Sequence, residues 1–180
     1  METIFEIKTR DEVSAADQAV FDSSRKLLGF VPNIYGIMAN SEHGLSRYVK
    51  AEFERTSLTT KEQEVVNIVV SQVNFCRYCI SFHYQFLLKL GFTAKQISEI
   101  RKGSANFDPK LEALVKLTKG LIEMSGHIDG ELIDRFIDAG YSKGAVIDTI
   151  ILVNLRGVTN YVHAALGEFA IDFPLAPDLD

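Results

Sequence analysis

The sequence has little of several residue types, and each shortage excludes a class of protein. Its 180 residues include two cysteines, four prolines, twelve glycines and no tryptophan. Two cysteines are too few for a secreted disulfide scaffold, and so few prolines and glycines argue against disordered or collagen-like chains. Lysine and arginine number 19 against 24 acidic residues, which gives a net charge of −5 at pH 7. We therefore expect no nucleic-acid partner, because a basic surface is missing.

Long hydrophobic runs are also missing. The longest apolar stretch, residues 145–155, is interrupted by Asp148, Thr149 and Asn154. It is well short of the roughly 18 residues that suggest a membrane span. Residues 1–10 carry charges throughout and do not resemble a secretory signal. The expectation is a cytoplasmic protein without a membrane partner.

Helix signals follow one another along almost the whole chain. Residues 12–28 carry good helix formers before the stop signal Gly29, and Thr60 with Gln63 has the spacing of a capping box. Residues 64–73 are rich in β-branched side chains, but the capping signal before them favours a buried helix over a strand. No segment shows the alternation of an antiparallel sheet or a βαβ rhythm. The prediction is an all-α fold.

The later part of the chain continues this pattern. Asp108 and Pro109 suit an N-cap and a first helical turn, and Ser142 is placed to open a long apolar helix. The tail from residue 172 to residue 180 contains two prolines and is expected to be extended over the surface. We expect a single domain, residues 1–180.

Two cysteines and a histidine form the most informative motif. Cys76, Cys79 and His83 are three and four residues apart, so on a helix they share one face. If Cys76 begins that helix, the positive end of the helix dipole favours its thiolate and lowers its pKa. Glu64 stands among valines, where a carboxylate needs a partner, and His83 is the candidate for that partner.

A dithiol beside a base has a defined chemistry. One thiolate can attack a peroxide and become a sulfenic acid, and the second thiol condenses with it to a disulfide. An external dithiol must then reopen that disulfide by exchange. His83 can act as the base or proton carrier for Cys79, one helical turn before it.

These residues resemble the core motif of the AhpD-like branch of the carboxymuconolactone decarboxylase superfamily. The matching stretch is LTTKEQEVVNIVVSQVNFCRYCISFH, within a redox core of about residues 57–103. Its glutamate precedes the first cysteine by twelve residues, and its histidine follows the second cysteine by four. The segments GFVPNIYGIMANSEHGLSRYVKAEF and AIDFPLAPD are similar to the subgroup of peroxidase-related proteins.

The resemblance implies an AhpD-like, all-α fold that forms homo-oligomers, either trimers or hexamers. It also implies that Cys79 attacks the peroxide, that Cys76 resolves the sulfenic acid, and that Glu64 and His83 form a proton relay. The implied substrate is a hydroperoxide and the implied reductant is a lipoyl or thioredoxin-like dithiol, with no cofactor and no metal. The best-known members carry a further histidine directly before the second cysteine. Here Tyr78 stands at that position, which removes one proton carrier.

Four other interpretations stay open at this point. The cysteines could be inert core thiols. They could bind zinc together with His83 and either Glu64 or His163. The chain could be a lyase of carboxymuconolactone decarboxylase type, which has no need of thiols, or a non-enzymatic protein whose disulfide changes its assembly. 

Two polar residues of the last apolar helix lie outside the motif. Arg156 is expected in a buried ion pair or a subunit contact, and nothing in the sequence chooses between them. His163 is expected to be a satisfied core or interface histidine.

Overall fold

The chain is a series of helices joined by short turns. A computed structural model describes residues 4–167 and 169–179, and no strand occurs among these residues. The predicted all-α class is confirmed. A short 3-10 turn, Arg10–Glu12, is followed by α1 (Ala15–Leu28), α2 (Asn33–Met38), α3 (Gly44–Glu52), α4 (Thr60–Val73), α5 (Arg77–Lys89), α6 (Ala94–Arg101), α7 (Pro109–Glu123), α8 (Gly130–Asp138) and α9 (Lys143–Ala165).

The helices divide into two compact units. The first comprises Met1–Glu54 and Tyr161–Asp172, and the second comprises Arg55–Asn160 and Phe173–Asp180. In the first unit α3 lies against α1 and α2, and in the second α4 packs against α5, α6 and α7. The single domain expected for the whole chain stays a prediction. All four residues of the sequence motif belong to the second unit, so its architecture positions the candidate site.

Helix α4 lies at the centre of the second unit. Its valines and isoleucine at residues 65–70 are at most 2% exposed. Because these side chains meet neighbouring helices on several sides, tertiary burial outweighs the β-propensity of the run, and the predicted helix is confirmed. Apolar side chains from the other helices complete this core, among them Ile80, Leu87, Ile97, Ile100, Leu114, Leu117 and Phe136.

Helix α4 begins one residue earlier than the sequence suggested. The capping box is formed by Thr59 and Glu62, and the prediction of Thr60 with Gln63 is wrong. The Glu62 carboxylate accepts the Thr59 backbone N–H at 2.7 Å, and it also pairs with Lys110 Nζ of α7 at 3.1 Å. Thr59 with Glu62 and Thr60 with Gln63 both have the spacing of a capping box. The register that the helix adopts also allows Glu62 to pair with Lys110.

Other predicted helix boundaries hold closely. Gly29 ends α1 in the left-handed region, with φ +88°, while α1 begins at Ala15, three residues later than expected, with Ser14 as its N-cap. Asp108 caps α7, and the Ser142 hydroxyl accepts the Ala145 N–H at the start of α9. Local side-chain chemistry therefore determines most of the helix ends.

Helix α9 is, within the described part of the chain, the one helix long and apolar enough to cross a membrane. Its buried side nevertheless carries polar groups that bind α4: Arg156 donates to Asn67, and Asn160 donates to Ser71. These bonds hold α9 to α4 within the second unit. The cytoplasmic location stays a prediction.

Residues 173–179 of the C-terminal tail contain no helix or strand and run beside α5. The Ala176 N–H donates to the Ser81 hydroxyl at 3.1 Å, and the Arg77 guanidinium donates to the Leu179 carbonyl. Because both α5 partners lie within the first two turns of the helix, the tail covers the part of α5 that carries the cysteines.

Candidate active site

A tight turn between α4 and α5 places Cys76. The Phe75 N–H donates to the Gln72 carbonyl at 3.2 Å, and the Cys76 N–H donates to the Ser71 carbonyl at 3.0 Å. Phe75 has φ +54°, a left-handed conformation that costs a bulky residue on the order of 1 kcal/mol. This turn makes Cys76 the N-cap of α5, as predicted.

The two thiols are buried and adjacent. Cys76 is 2% exposed and Cys79 is 3% exposed, and both are free cysteines. Their Sγ atoms are 2.7 Å apart, and Cys76 Sγ also accepts the Cys79 backbone N–H at 3.3 Å. A disulfide requires sulfur atoms about 2.05 Å apart, so this pair can close with little backbone movement.

An acid–base pair lies in the same unit. His83 Nδ1 is 2.7 Å from Glu64 Oε2, and the imidazole is buried. Burial raises the pKa of Glu64, but His83 and the Arg156 charge outweigh burial and hold this pKa below its usual range. Because an ionised carboxylate only accepts hydrogen bonds, Nδ1 carries a proton and donates to Glu64. The predicted pairing of Glu64 with His83 is confirmed, and it leaves Nε2 as the nitrogen that can exchange a proton.

A chain of polar side chains links this pair to α9. Asn67 Nδ2 donates to Glu64 Oε1 at 3.1 Å, and Asn67 Oδ1 accepts from Arg156 Nε at 3.1 Å. Arg156 Nη1 donates to Thr159 Oγ1 at 3.2 Å. One turn of α9 is thereby connected to the carboxylate that orients His83.

A second set of bonds joins α9 to the end of α4. Asn160 Nδ2 donates to Ser71 Oγ at 3.3 Å, and Asn160 Oδ1 accepts from Asn74 Nδ2 at 3.0 Å. Ser71 in turn donates to the Asn67 carbonyl at 2.7 Å. Asn67, Ser71 and Asn160 are almost completely buried and Asn74 is partly buried, so the hydrogen-bonded network orders the polar centre of the site.

The surroundings shift the pKa values of the two thiols in opposite directions. Burial raises the pKa of Cys79, but the Cys76 S–H, the Arg156 charge and hydrogen bonds from Asn160 and Thr159 outweigh it and lower this pKa overall. The pKa of Cys76 is raised, first by its hydrogen bond to Cys79 and then by burial. Cys79 is therefore the more acidic of the two thiols.

This result corrects one expectation. The helix N-terminus was expected to lower the pKa of Cys76, and Cys76 does occupy that position. The Cys79 backbone N–H, which donates to Cys76 Sγ, lowers the pKa of Cys76 as expected. The hydrogen bond that the Cys76 S–H donates to Cys79 raises this pKa by more. The N-cap cysteine thus stays protonated and supports the charge on its neighbour.

Aromatic rings border the cysteine turn. Tyr78, at the position of the histidine found in the best-known AhpD proteins, is buried, and its ring meets Phe173 edge-on at 4.7 Å between centroids. Phe82 lies 5.3 Å from Phe173 and 5.5 Å from the His83 ring. Rings of α5 and the tail therefore pack against one another along the first two turns of α5.

The zinc interpretation gains no support. Among residues 4–167 and 169–179, no three His, Cys, Asp or Glu side chains are grouped to hold a metal ion. Glu64, one of the suggested ligands, binds His83 instead. His163, the other, is a buried residue of the first unit whose ring meets Phe169 edge-on at 4.9 Å.

Sequence reasoning missed several residues of the network. Asn67, Thr159 and Asn160 were not singled out, and Arg156 was noticed without a role. Their signal was polarity inside an apolar helix: Asn67 interrupts the run VVNIVV, and Arg156 and Asn160 are four residues apart in α9. Which polar groups they meet depends on how α9 packs against α4.

The site also agrees with a known protein family. Residues 40–120 match the model of the carboxymuconolactone decarboxylase family. Over this segment the chain is similar to that family. The matched segment includes Glu64, Cys76, Cys79 and His83. Among curated proteins, the uncharacterised protein YdfG of Bacillus subtilis (strain 168) is 24% identical over 129 residues, which cover 70% of this chain and 84% of YdfG.

Solved structures show that this chain has the AhpD-like fold. An uncharacterised peroxidase-related protein of Ralstonia eutropha JMP134, described as an alkylhydroperoxidase AhpD core, has a TM-score of 0.84 and 15% identity, covering 94% of this chain and 93% of its own. A peroxidase-related protein of Silicibacter sp. TM1040 has a TM-score of 0.77 and 19% identity, covering 91% and 89%. The debrominase Bmp8, as a cysteine-to-alanine variant with 2,3,4-tribromopyrrole, has a TM-score of 0.78 and 18% identity, covering 96% and 93%.

Proposed function

We propose that this AhpD-like protein is a thiol-dependent hydroperoxide reductase. The observation that carries the proposal is a pair of buried free thiols, 2.7 Å apart, in the same unit as a hydrogen-bonded His83–Glu64 pair. Two thiols supply the two electrons that a peroxide needs, and the histidine supplies a route for protons. The lowered pKa of Cys79 assigns it the attacking role.

The oxidative half of the cycle has two steps. The Cys79 thiolate attacks the terminal oxygen of the hydroperoxide, the O–O bond breaks, and the leaving alkoxide takes a proton from His83 to become an alcohol. Cys79 is now a sulfenic acid. The Cys76 sulfur then attacks Cys79, an S–S bond forms, and the hydroxyl leaves as water with the Cys76 proton.

The reductive half needs an external dithiol of lipoyl or thioredoxin type. One of its thiolates attacks the Cys76–Cys79 disulfide to give a mixed disulfide, and its second thiol releases the reduced protein while forming its own disulfide. Two electrons pass from the reductant to the protein, which balances the two electrons given to the peroxide. Glu64 keeps Nδ1 of His83 protonated throughout, so Nε2 is the nitrogen that accepts and donates protons during the cycle.

Intact mass spectrometry tests this cycle directly. One equivalent of cumene hydroperoxide or hydrogen peroxide added to the reduced protein should remove two hydrogens within the mixing time. Dihydrolipoamide should restore them. An unchanged mass, with both thiols still open to alkylation after unfolding, would rule out the proposed cycle.

Single cysteine variants give the first prediction. Cys79→Ser should lose all peroxide turnover, because the ionised thiol is gone. Cys76→Ser should consume one equivalent and stop as a sulfenic acid, which dimedone traps as an adduct on Cys79. Each variant serves as the control for the other, since they differ only in which sulfur remains. Turnover in both at the wild-type rate would contradict the mechanism.

A second candidate function is reductive dehalogenation of an aromatic compound. The packed rings of Tyr78 and Phe82, on the first two turns of α5, with Phe173 of the tail favour it, and the debrominase Bmp8 shares this fold. The Cys79 thiolate would take the halogen while the ring carbon takes a proton, and Cys76 would expel halide as the disulfide forms. Bromide release from tribromopyrrole in the presence of dihydrolipoamide, faster than peroxide loss, would favour this candidate.

The alternatives from sequence have their own tests. Lactone turnover that persists after thiol alkylation would favour the lyase. A homo-oligomer is proposed from the exposed apolar side of α9, formed by Ile147, Ile150, Ile151 and Val158. Light scattering after gel filtration should give a trimer or a hexamer. A size that changes between reduced and oxidised protein would favour the redox-responsive assembly.

A further inference from the structure

Arg156 is a buried charge that the proposed cycle leaves without a role. The residue is 4% exposed and lies on α9, far in sequence from the motif on α4 and α5. Burying a guanidinium is costly unless hydrogen bonds and opposite charge compensate for the lost water. The groups that compensate for the desolvation of the Arg156 guanidinium therefore indicate its role.

The contacts of Arg156 lead to the reacting groups. Nε donates to Asn67, whose amide also donates to Glu64, and Nη1 donates to Thr159. Asn67 can act this way because its oxygen faces Arg156 and its nitrogen faces Glu64. The guanidinium is thus held by two side chains and connected to the carboxylate by one intervening amide.

The charges of the site balance only when Arg156 is counted. The titratable and charged groups gathered here are Cys76, Cys79 and His83 on α5, Glu64 on α4 and Arg156 on α9. Before ionisation, Arg156 and Glu64 cancel each other. After a proton moves from Cys79 to His83, two cations face two anions, and the buried site remains neutral overall. Without Arg156 the same transfer leaves a net negative charge away from water.

We propose that Arg156 is a positioning residue of the thiol site: its guanidinium, held by Asn67 and Thr159, keeps Cys79 ionised and Glu64 charged. This inference rests on the proposed function, because it concerns the same thiols. Arg156 acts electrostatically and through Asn67. Its influence on Cys79 and Glu64 agrees with the direction of both pKa shifts.

Thiolate absorbance at 240 nm tests the proposal without any substrate. The reduced protein is titrated from pH 4 to pH 11, and the first ionisation is followed. Arg156→Gln removes the charge but keeps a hydrogen-bonding amide, and it should move the first ionisation upward by about one pH unit or more. The thiolate fraction at lower pH then falls by about tenfold. Arg156→Lys, which keeps the charge, should titrate within half a pH unit of the wild type.

Two further variants complete the experiment. Arg101→Gln is the matched control, because Arg101 also reaches from its helix to α4, through Gln72, but lies outside the thiol network. It should titrate like the wild type. Arg156→Met also removes the charge, keeps an unbranched side chain in the buried position and should raise the first ionisation at least as much as Arg156→Gln does. It carries the test if Arg156→Gln does not fold, as judged by circular dichroism.

The outcomes separate the two proposals. A folded Arg156→Gln that titrates like the wild type, or a folded Arg156→Met that does so where Arg156→Gln does not fold, would overturn the role of Arg156. Peroxide would still oxidise the wild-type protein in that case. If the predicted shifts appear but peroxide leaves the wild-type mass unchanged, the positioning role stands and the hydroperoxide reductase fails.

Discussion

Two glutamates on the same helix show how different surroundings turn one residue type to different tasks. Glu62 and Glu64 lie within the first two turns of α4, and both carboxyl pKa values are lowered. Burial raises the pKa of Glu62, but hydrogen bonds from the cap residue Thr59 and the half-exposed cation Lys110 lower it. Burial also raises the pKa of Glu64, but His83, Arg156 and Asn67 together outweigh it.

The difference lies in what each carboxylate can reach. The bonds of Glu62 satisfy the start of a helix and tie α4 to α7, so they stabilise the fold. The bonds of Glu64 orient an imidazole and connect α9 to the face of α5 that carries the thiols. A lowered pKa alone therefore does not identify a catalytic group; its partners do.

Replacing each glutamate by glutamine should separate the two roles most strongly. Glu64→Gln removes the acceptor that keeps Nδ1 of His83 protonated, so peroxide turnover should fall by about 100-fold or more. Glu62→Gln should keep turnover within about threefold of the wild type. The measurement is hydroperoxide consumption coupled to dihydrolipoamide oxidation, with circular dichroism as the control for folding. Equal losses in two folded variants would contradict the distinction.

Removal of the cap should have a moderate effect on stability. Thr59→Ala removes the hydroxyl that accepts the Glu62 backbone N–H and should cost about 1 kcal/mol of unfolding free energy. Turnover per folded molecule should not change, because the thiol network does not include Thr59. Urea unfolding measures the loss. Thr60→Ala is the control, since Thr60 is not the cap, and an equal loss there would contradict the assigned register.

The pH dependence of stability should show the smallest difference. The folded-state pKa of Glu62 lies below its unfolded value of about 4.3, so its stabilisation is complete above that pH and is lost as pH falls through the folded pKa. Wild type should therefore be more stable than Glu62→Gln at pH 7, and this gap should narrow between pH 5 and pH 3. Urea unfolding at several pH values checks this. A gap that widens on acidification would contradict the assignment.

Much of the site could be predicted from local sequence. Spacing alone placed Cys76, Cys79 and His83 on one helix face, and a carboxylate among valines pointed to a partner for Glu64. The exact cap of α4 was missed by one residue, because two threonines in succession offer the same spacing. Local patterns carry this information because a helix places residues three and four positions apart side by side.

The identity of the ionising thiol could not be read in this way. The helix dipole favours Cys76, whereas the structure lowers the pKa of Cys79 through Arg156, Thr159 and Asn160. Two of these, Arg156 and Asn160, bind α4 partners that are 89 residues earlier in the chain. The rotation of α9 about its own axis, which packing sets, decides whether they face the site.

The amino-acid sequence by itself determined the helices, most of their ends, the dithiol spacing and the Glu64–His83 pairing, because these depend on caps, periodicity and the cost of an isolated buried charge. Tertiary structure alone decided which thiol carries the charge, what Arg156 binds and which rings of the tail cover α5. The physical reason is that electrostatic and packing contacts act through space. Their strength depends on distances between helices that no short stretch of sequence contains.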